Sequence, residues 1–187
     1  MYLTENMHRK KVTIAGEGNM RSRITVVEYD PDWIKLFEEL RNTVLPVLSD
    51  IVVTIEHVGS TSVPGLASKP IVDMDVVVPT QTEVQIAIQR LATLGYVHEG
   101  DLGIAGREAF IPPKNLPWHH LYVCTEENAE YKRHILFRDY LRSHPEDSKI
   151  YGDLKLELAK RYHNDRNAYT NAKSEIVNNI LNRTGWK

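Results

Sequence analysis

The stretch that most constrains this chain is Ile71-Val72-Asp73-Met74-Asp75-Val76-Val77-Val78, a run of apolar and β-branched residues broken only by two aspartates. Such a run belongs in a central strand covered on both faces, so the sequence predicts an α/β (α+β) domain built on a sheet rather than a helical bundle. The aspartates then need an explanation, because a buried ionised carboxylate is costly unless it is paired or binds a cation. Side chains alternate along a strand, so Asp73 and Asp75 share one face with Cα atoms roughly 6.6 to 7 Å apart. Their carboxylates can converge on one divalent ion, which Mg²⁺ would accept at about 2.0 to 2.1 Å while taking its remaining ligands from water and substrate phosphates. An exposed edge strand or a salt bridge to lysine or arginine is the alternative, and Val76 to Val78 argue against the edge.

Just upstream, the β-branched run Ile51 to Val58 enters Gly59-Ser60-Thr61-Ser62, and Pro64 with Gly65 keeps the connection to the next strand short. Backbone N–H groups at such a turn can cradle a phosphate, glycine permits close approach, and the three hydroxyls add donors. Taken alone, a serine-rich turn is equally an ordinary helix cap.

Elsewhere the patterns are regular. Ile24 to Glu28 reads as a short strand, Asp30-Pro31 as a helix start, and Trp33, Phe37, Leu40, Val44 and Leu48 as one apolar helical stripe with Pro46 near its end. Thr80 with Glu83 forms a capping box for a helix carrying Val84, Ile88, Leu91 and Leu94, which Gly95 closes. Strands are expected near Arg107 to Ile111 and His120 to Cys124, then helices over 127–142, 145–163 and 171–182. Residues 1–23 lack periodicity and read as a loose extension, leaving one domain over 24–187, with a sheet core to about 126 and a helical part from 127.

Composition narrows the function classes. The formal charge of −2 disfavours a nucleic-acid binder that relies on phosphate neutralisation over its whole surface. Residues 1–127 hold 11 Lys/Arg against 17 Asp/Glu and residues 128–187 hold 12 against 8, so the helical part could face an anion. No window approaches the roughly 20 apolar residues a membrane span requires, and no signal-peptide core is seen. Cys124, the single cysteine, ends an apolar stretch and reads as a buried residue. A cytoplasmic location, a small-molecule substrate, no nucleic acid and no membrane partner are therefore expected.

Val58-Gly59-Ser60 followed by Asp73-Met74-Asp75-Val76 resembles the signature of the polymerase-β-like nucleotidyltransferase superfamily, including the connector length. The wider string resembles the GrpB family of that superfamily from about residue 24 onward. It comprises His57 to Leu66, Lys69-Pro70-Ile71-Val72-Asp73-Met74-Asp75, Gly106-Arg107-Glu108, His119-His120-Leu121, Phe137 to Arg142 and Tyr162 to Lys173. The resemblance implies a mixed sheet with a C-terminal helical extension. It further implies metal-bound carboxylates that position a nucleoside triphosphate for in-line attack. Its occurrence fused to dephospho-CoA kinase implies a coenzyme-A-related ligand as an alternative. This sequence departs from the superfamily in having no third carboxylate in the strand His119-His120-Leu121-Tyr122-Val123, and from the family in having Tyr122 where a further histidine is usual.

His120 is accordingly the candidate to complete the site as metal ligand or general base, with a hydrogen-bonded sheet histidine as the alternative and Glu108 as the second-choice acid. An Asp73/Asp75/His120 set is softer than three carboxylates, so Mn²⁺ or Zn²⁺ becomes a candidate beside Mg²⁺. Lys69, Arg107, Lys155 and Lys173 are candidates for holding phosphate, and His57 for orienting the turn or simply filling the core. Three functions fit these residues: a metal-dependent nucleotidyltransferase acting on a small acceptor, an inactive binder of a nucleotide or coenzyme-A-like ligand, and a metal-dependent phosphohydrolase.

Overall fold

A computed structural model describes residues 23–186, so the extension expected over 1–23 lies, apart from Arg23, outside the described residues. The sheet contains β1 (Thr54–Val58), β2 (Val72–Val78), β3 (Val97–Gly100), β4 (Arg107–Ile111) and β5 (His119–Thr125), in the order β1-β2-β5-β4-β3. Only the central pair β2 and β5 is parallel, which makes the sheet mixed. Helix α1 (Asp32–Leu48) precedes β1 and α2 (Gln81–Thr93) lies between β2 and β3, whereas α3 (Ala129–Ser143), α4 (Pro145–Arg161) and α5 (Arg166–Arg183) follow the last strand.

Local chemistry explains the boundaries. Asp30 Oδ1 accepts the Asp32 N–H at 2.9 Å and opens α1, and Thr80 accepts the Thr82 N–H at 3.1 Å and opens α2. Helix α5 begins five residues before the apolar pattern suggested, because Asp165 accepts from Ala168 N–H and caps it. The strand expected over 24–28 shrinks to one bridge, Val27 to Ser68, since the chain turns at Asp30 into α1 before a ladder can extend. Strand β3 escaped the sequence because Val-His-Glu-Gly on an exposed edge offers no alternating apolar face. No described helix is long and apolar enough to cross a membrane.

The two faces of the sheet carry different residues. Val72, Met74, Val76 and Val78 of β2, with Leu121 and Val123 of β5, join the α1 and α2 stripes in the main core. Each fully buried Leu, Val or Met side chain contributes about 1.5 to 3 kcal/mol to that core. On the opposite face, register sets Asp73 beside His120 and Asp75 beside Tyr122 in the parallel pair, and Glu56 opposite Asp75 across β1. Helices α3, α4 and α5 cover this second face, held by Val63, Leu66, Leu141, Tyr151 and Ile180 and by a further cluster of Ile24, Leu158, Ala159 and Tyr169.

Candidate functional site

Each aspartate has its own histidine. Asp75 is 1% exposed, and its Oδ2 accepts from His134 Nδ1 of α3 at 2.8 Å, whereas its Oδ1 is buried without a hydrogen-bond partner. Burial pushes the Asp75 carboxyl upward, against the pull of His134. Burial also works against charge on the His134 ring, but hydrogen bonds to Asp75 and to Glu130, 3.2 Å from Nε2, outweigh it and raise the imidazole to about 9. Glu130 feels the same burial, yet Arg133, bonded at 2.8 and 2.6 Å, and His134 hold it well below the carboxylate range. His134 is thus an imidazolium set between two carboxylates.

Asp73 stands closer to solvent. Its Oδ1 accepts from His120 Nδ1 at 2.6 Å, which fixes the tautomer and leaves His120 Nε2 free to take a proton or a metal. The neighbouring Tyr122 phenol is pushed up to about 12, by burial first and by Asp73 after it, so it stays protonated. Burial likewise lifts the Cys124 thiol to about 12, which removes it as a nucleophile.

The glycine-serine turn lies directly against Asp73. Gly59 has φ +68°, and a Cβ built on it would fall 2.2 Å from Asp73 Oδ2, so no other residue permits this approach. Of the three hydroxyls, only Ser60 lines the open cleft, where its side chain also bonds to Tyr151. Thr61 and Ser62 point inward and hold the turn: Thr61 Oγ1 lies 3.0 Å from His57 Nε2, and Ser62 Oγ donates to Gly59 O at 2.6 Å. His57 is stacked on Phe37 at 4.7 Å, and burial lowers it to about 4. Helix α3 clamps the same segment, with Arg138 donating to His57 O at 3.1 Å and Arg142 to Ser62 O at 3.0 and 2.8 Å.

Two connected cavities open here. A cleft of about 450 Å³ is lined by Gly59, Ser60, Asp73, Tyr122, His134 and Phe137 among others. A smaller one of about 140 Å³ shares Ser60, Asp73 and Lys173 with it, and adds His120, Lys69 and Lys155. Arg107 lies deeper, packed 4.1 Å over the Tyr122 ring, and lines neither cavity. Glu108 is excluded from the site by register: it pairs with Val123, which faces the α1/α2 core, and its carboxylate meets His98 at 2.6 Å.

Sequence reasoning missed His134, although its signal was present. Glu130, His134, Arg138 and Arg142 recur every four residues and form one ionisable stripe on α3. Such a stripe normally faces water, but here it faces the sheet, where Asp75, Glu56 and two backbone carbonyls receive it.

Among the described residues no three His, Cys, Asp or Glu side chains converge as a ready metal cage. Asp73 and Asp75 offer carboxylate oxygens to one hard divalent ion, although Asp75, unlike Asp73, lines neither cavity. Asp75 Oδ1 is an orphaned buried oxygen, Asp73 shares its face, and His120 Nε2 is uncommitted. Water and substrate phosphate would supply the rest, as Mg²⁺ usually requires.

Comparison with known proteins gives the family and the fold. Residues 23–183 match the GrpB protein family, and the chain belongs to it. UPF0157 protein YqkA of Bacillus subtilis (strain 168) is 34% identical over 168 residues, 89% of this chain and 49% of that protein, so the chain spans about half the length of that relative. The crystal structure of conserved protein GrpB from Enterococcus faecalis is 32% identical with a TM-score of 0.77, covering 86% of this chain and 96% of that one. The Cid1 poly(U) polymerase bound to MgATP, 15% identical with a TM-score of 0.53 over 73% of this chain and 44% of that one, shares the nucleotidyltransferase fold.

Proposed function

We propose that this GrpB-family chain binds a nucleoside triphosphate over the Gly59-Ser60 turn and transfers its nucleotidyl group to a hydroxyl of a small acceptor. The single observation that carries the reading is the close approach of Gly59 to Asp73, with 2.2 Å between a would-be Cβ and Oδ2, which ties the turn to that carboxylate at one point of the cleft. Asp73 and Asp75 would hold a divalent ion, and His120 Nε2 is left to serve as the base. When bound, that ion neutralises charge on the attacking and leaving oxygens. Ser60 orients the phosphates, and Lys173 faces them from α5. The acceptor oxygen forms a bond to the α-phosphorus as pyrophosphate leaves, and its proton passes to His120 Nε2, because Asp73 already holds Nδ1. Helices α3, α4 and α5 wall one side of the cleft, lining it with Arg133, His134, Phe137, Tyr151 and Lys173.

Incubating the protein with each nucleoside triphosphate, Mg²⁺ or Mn²⁺ and a panel of hydroxylated small molecules tests this. Acceptor-dependent pyrophosphate release that Asp73→Asn abolishes is the expected result. Release of inorganic phosphate or nucleoside monophosphate without any acceptor would identify a hydrolase instead. A second reading, a nucleotide or coenzyme-A-related binder without turnover, is favoured by the strand His119 to Val123, which runs beside Asp73 and Asp75 and brings no third carboxylate. Nucleotide-induced thermal stabilisation with no product would establish it.

A further inference from the structure

The smaller cavity has a chemistry of its own. Lys155 is 3% exposed, yet its Nζ has no hydrogen-bond partner. It lies 4.5 Å from the centroid of the Tyr151 ring and lines the cavity together with Lys69 and Lys173, which sit 4.8 and 4.4 Å from the centroid of the Tyr169 ring. Tyrosine rings give these ammoniums partial compensation, but no lysine here has a carboxylate bonded to it among the described residues. Asp73 is the carboxylate that lines the cavity, and His120 already engages it. Burial and then Lys173 hold Lys155 well below the ordinary lysine range, while burial and then Lys69 lower Lys173 to about 8. A buried ammonium without a partner is costly, so burial disfavours the charged form until an anion enters, and an anionic ligand would supply the partner that these amines lack among the described residues.

Volume and position say which charge. At about 140 Å³ the cavity has room for a phosphate group but not for a nucleotide, which the cleft of about 450 Å³ can take. The two meet at Ser60, Asp73 and Lys173, and His120, the proton acceptor, lines only the smaller one. In-line transfer places attacking and leaving oxygens on opposite sides of the phosphorus. The side with the base therefore belongs to the acceptor.

We propose that the cavity bounded by Lys69, Lys155, Lys173 and Tyr169 is a phosphate subsite for the acceptor, so that the second substrate is a small phosphomonoester carrying a reactive hydroxyl. This rests on the transferase reading for the identity of the reacting partner, but the subsite itself can be tested without turnover. Calorimetric titration of the full chain with inorganic phosphate at constant ionic strength, alone and with MgATP saturating, is the experiment. Phosphate binding in both conditions is expected, weakened at least about tenfold by Lys155→Met and by Lys69→Met, which remove one charge each. MgATP affinity should change less than about threefold in the same variants, since the nucleotide lies in the other cavity. Lys69→Met, at a half-buried position, guards against a folding defect in the Lys155 variant.

Phosphate excluded by MgATP, or MgATP weakened as strongly as phosphate in Lys155→Met, would assign the lysines to the triphosphate and overturn the proposal. Absence of phosphate binding at millimolar concentration, with MgATP bound normally, would also overturn it while leaving the transferase reading intact. Lysine-dependent phosphate binding in a protein that does not bind MgATP would uphold the subsite and sink the transferase reading.

Discussion

Met74 and Asp75 are adjacent on β2 and equally buried, at 0% and 1% exposure, yet they face opposite sides of the sheet. Met74 packs among apolar residues of α1, α2 and the neighbouring strands. Asp75 meets His134 and keeps one oxygen unpartnered. The first face stabilises by exclusion of water, which is non-directional and tolerant of substitution by similar volume. The second face carries buried polar atoms without hydrogen-bond partners, Asp75 Oδ1 and Lys155 Nζ, whose burial works against stability and favours the uncharged form of each group.

Substitutions can separate the two faces. The largest loss of stability should follow Met74→Ala, about 2 to 5 kcal/mol from the lost burial and residual cavity. Urea unfolding measures it, and any nucleotide-induced stabilisation should survive in the folded fraction. Gly59→Ala should cost about 1 to 3 kcal/mol for the backbone conformation alone, and the displaced Asp73 should abolish nucleotide-induced stabilisation. A thermal melt with and without nucleotide reads both, and a variant that still responded to nucleotide would break the link between turn and carboxylate. Asp73→Asn should keep stability within about 1 kcal/mol of the parent, because the position is partly open to water, while product formation disappears.

The smallest effect is electrostatic. Lys173 has an ordinary value of 10.5 and a folded one of about 8, so between these limits the unfolded chain binds more protons than the folded one. Stability must then rise with pH through that window, by at most about 3 kcal/mol from this group and by less as solvent screens it. In Lys173→Met that increment should vanish from urea midpoints measured across the window, and stability near neutrality should increase. An unchanged pH profile would mean that Lys173 is better solvated than its place over Tyr169 implies.

Much of this was legible in advance where the signal is local. The β2 run, the α1 stripe of Trp33, Phe37, Leu40, Val44 and Leu48, and the Thr80 cap all stand where their patterns placed them. Strand β4 matches residue for residue, since Arg107 to Ile111 is bounded by a glycine-rich turn before and prolines after. Glu108 misled because its motif neighbours are site-like, but an alternating strand sends it to the other face from Arg107. His134 was invisible because a charged four-residue repeat on a helix looks the same whether it faces water or a carboxylate.

The sequence by itself determined that a doubly covered strand carries two acids on one face, one glycine-serine bend away from the strand before it. Periodicity and backbone permissiveness are properties of neighbouring residues, so they can be read along the chain. Only the tertiary structure decided which histidine serves which aspartate, that Thr61 and Ser62 support the turn while Ser60 faces the cleft, and that three lysines from a loop and two helices enclose one small cavity. The aspartate–histidine meetings join residues 47 and 59 positions apart, and the lysines come from equally distant elements, so strand order and helix packing fix them and no local pattern encodes the distance between them.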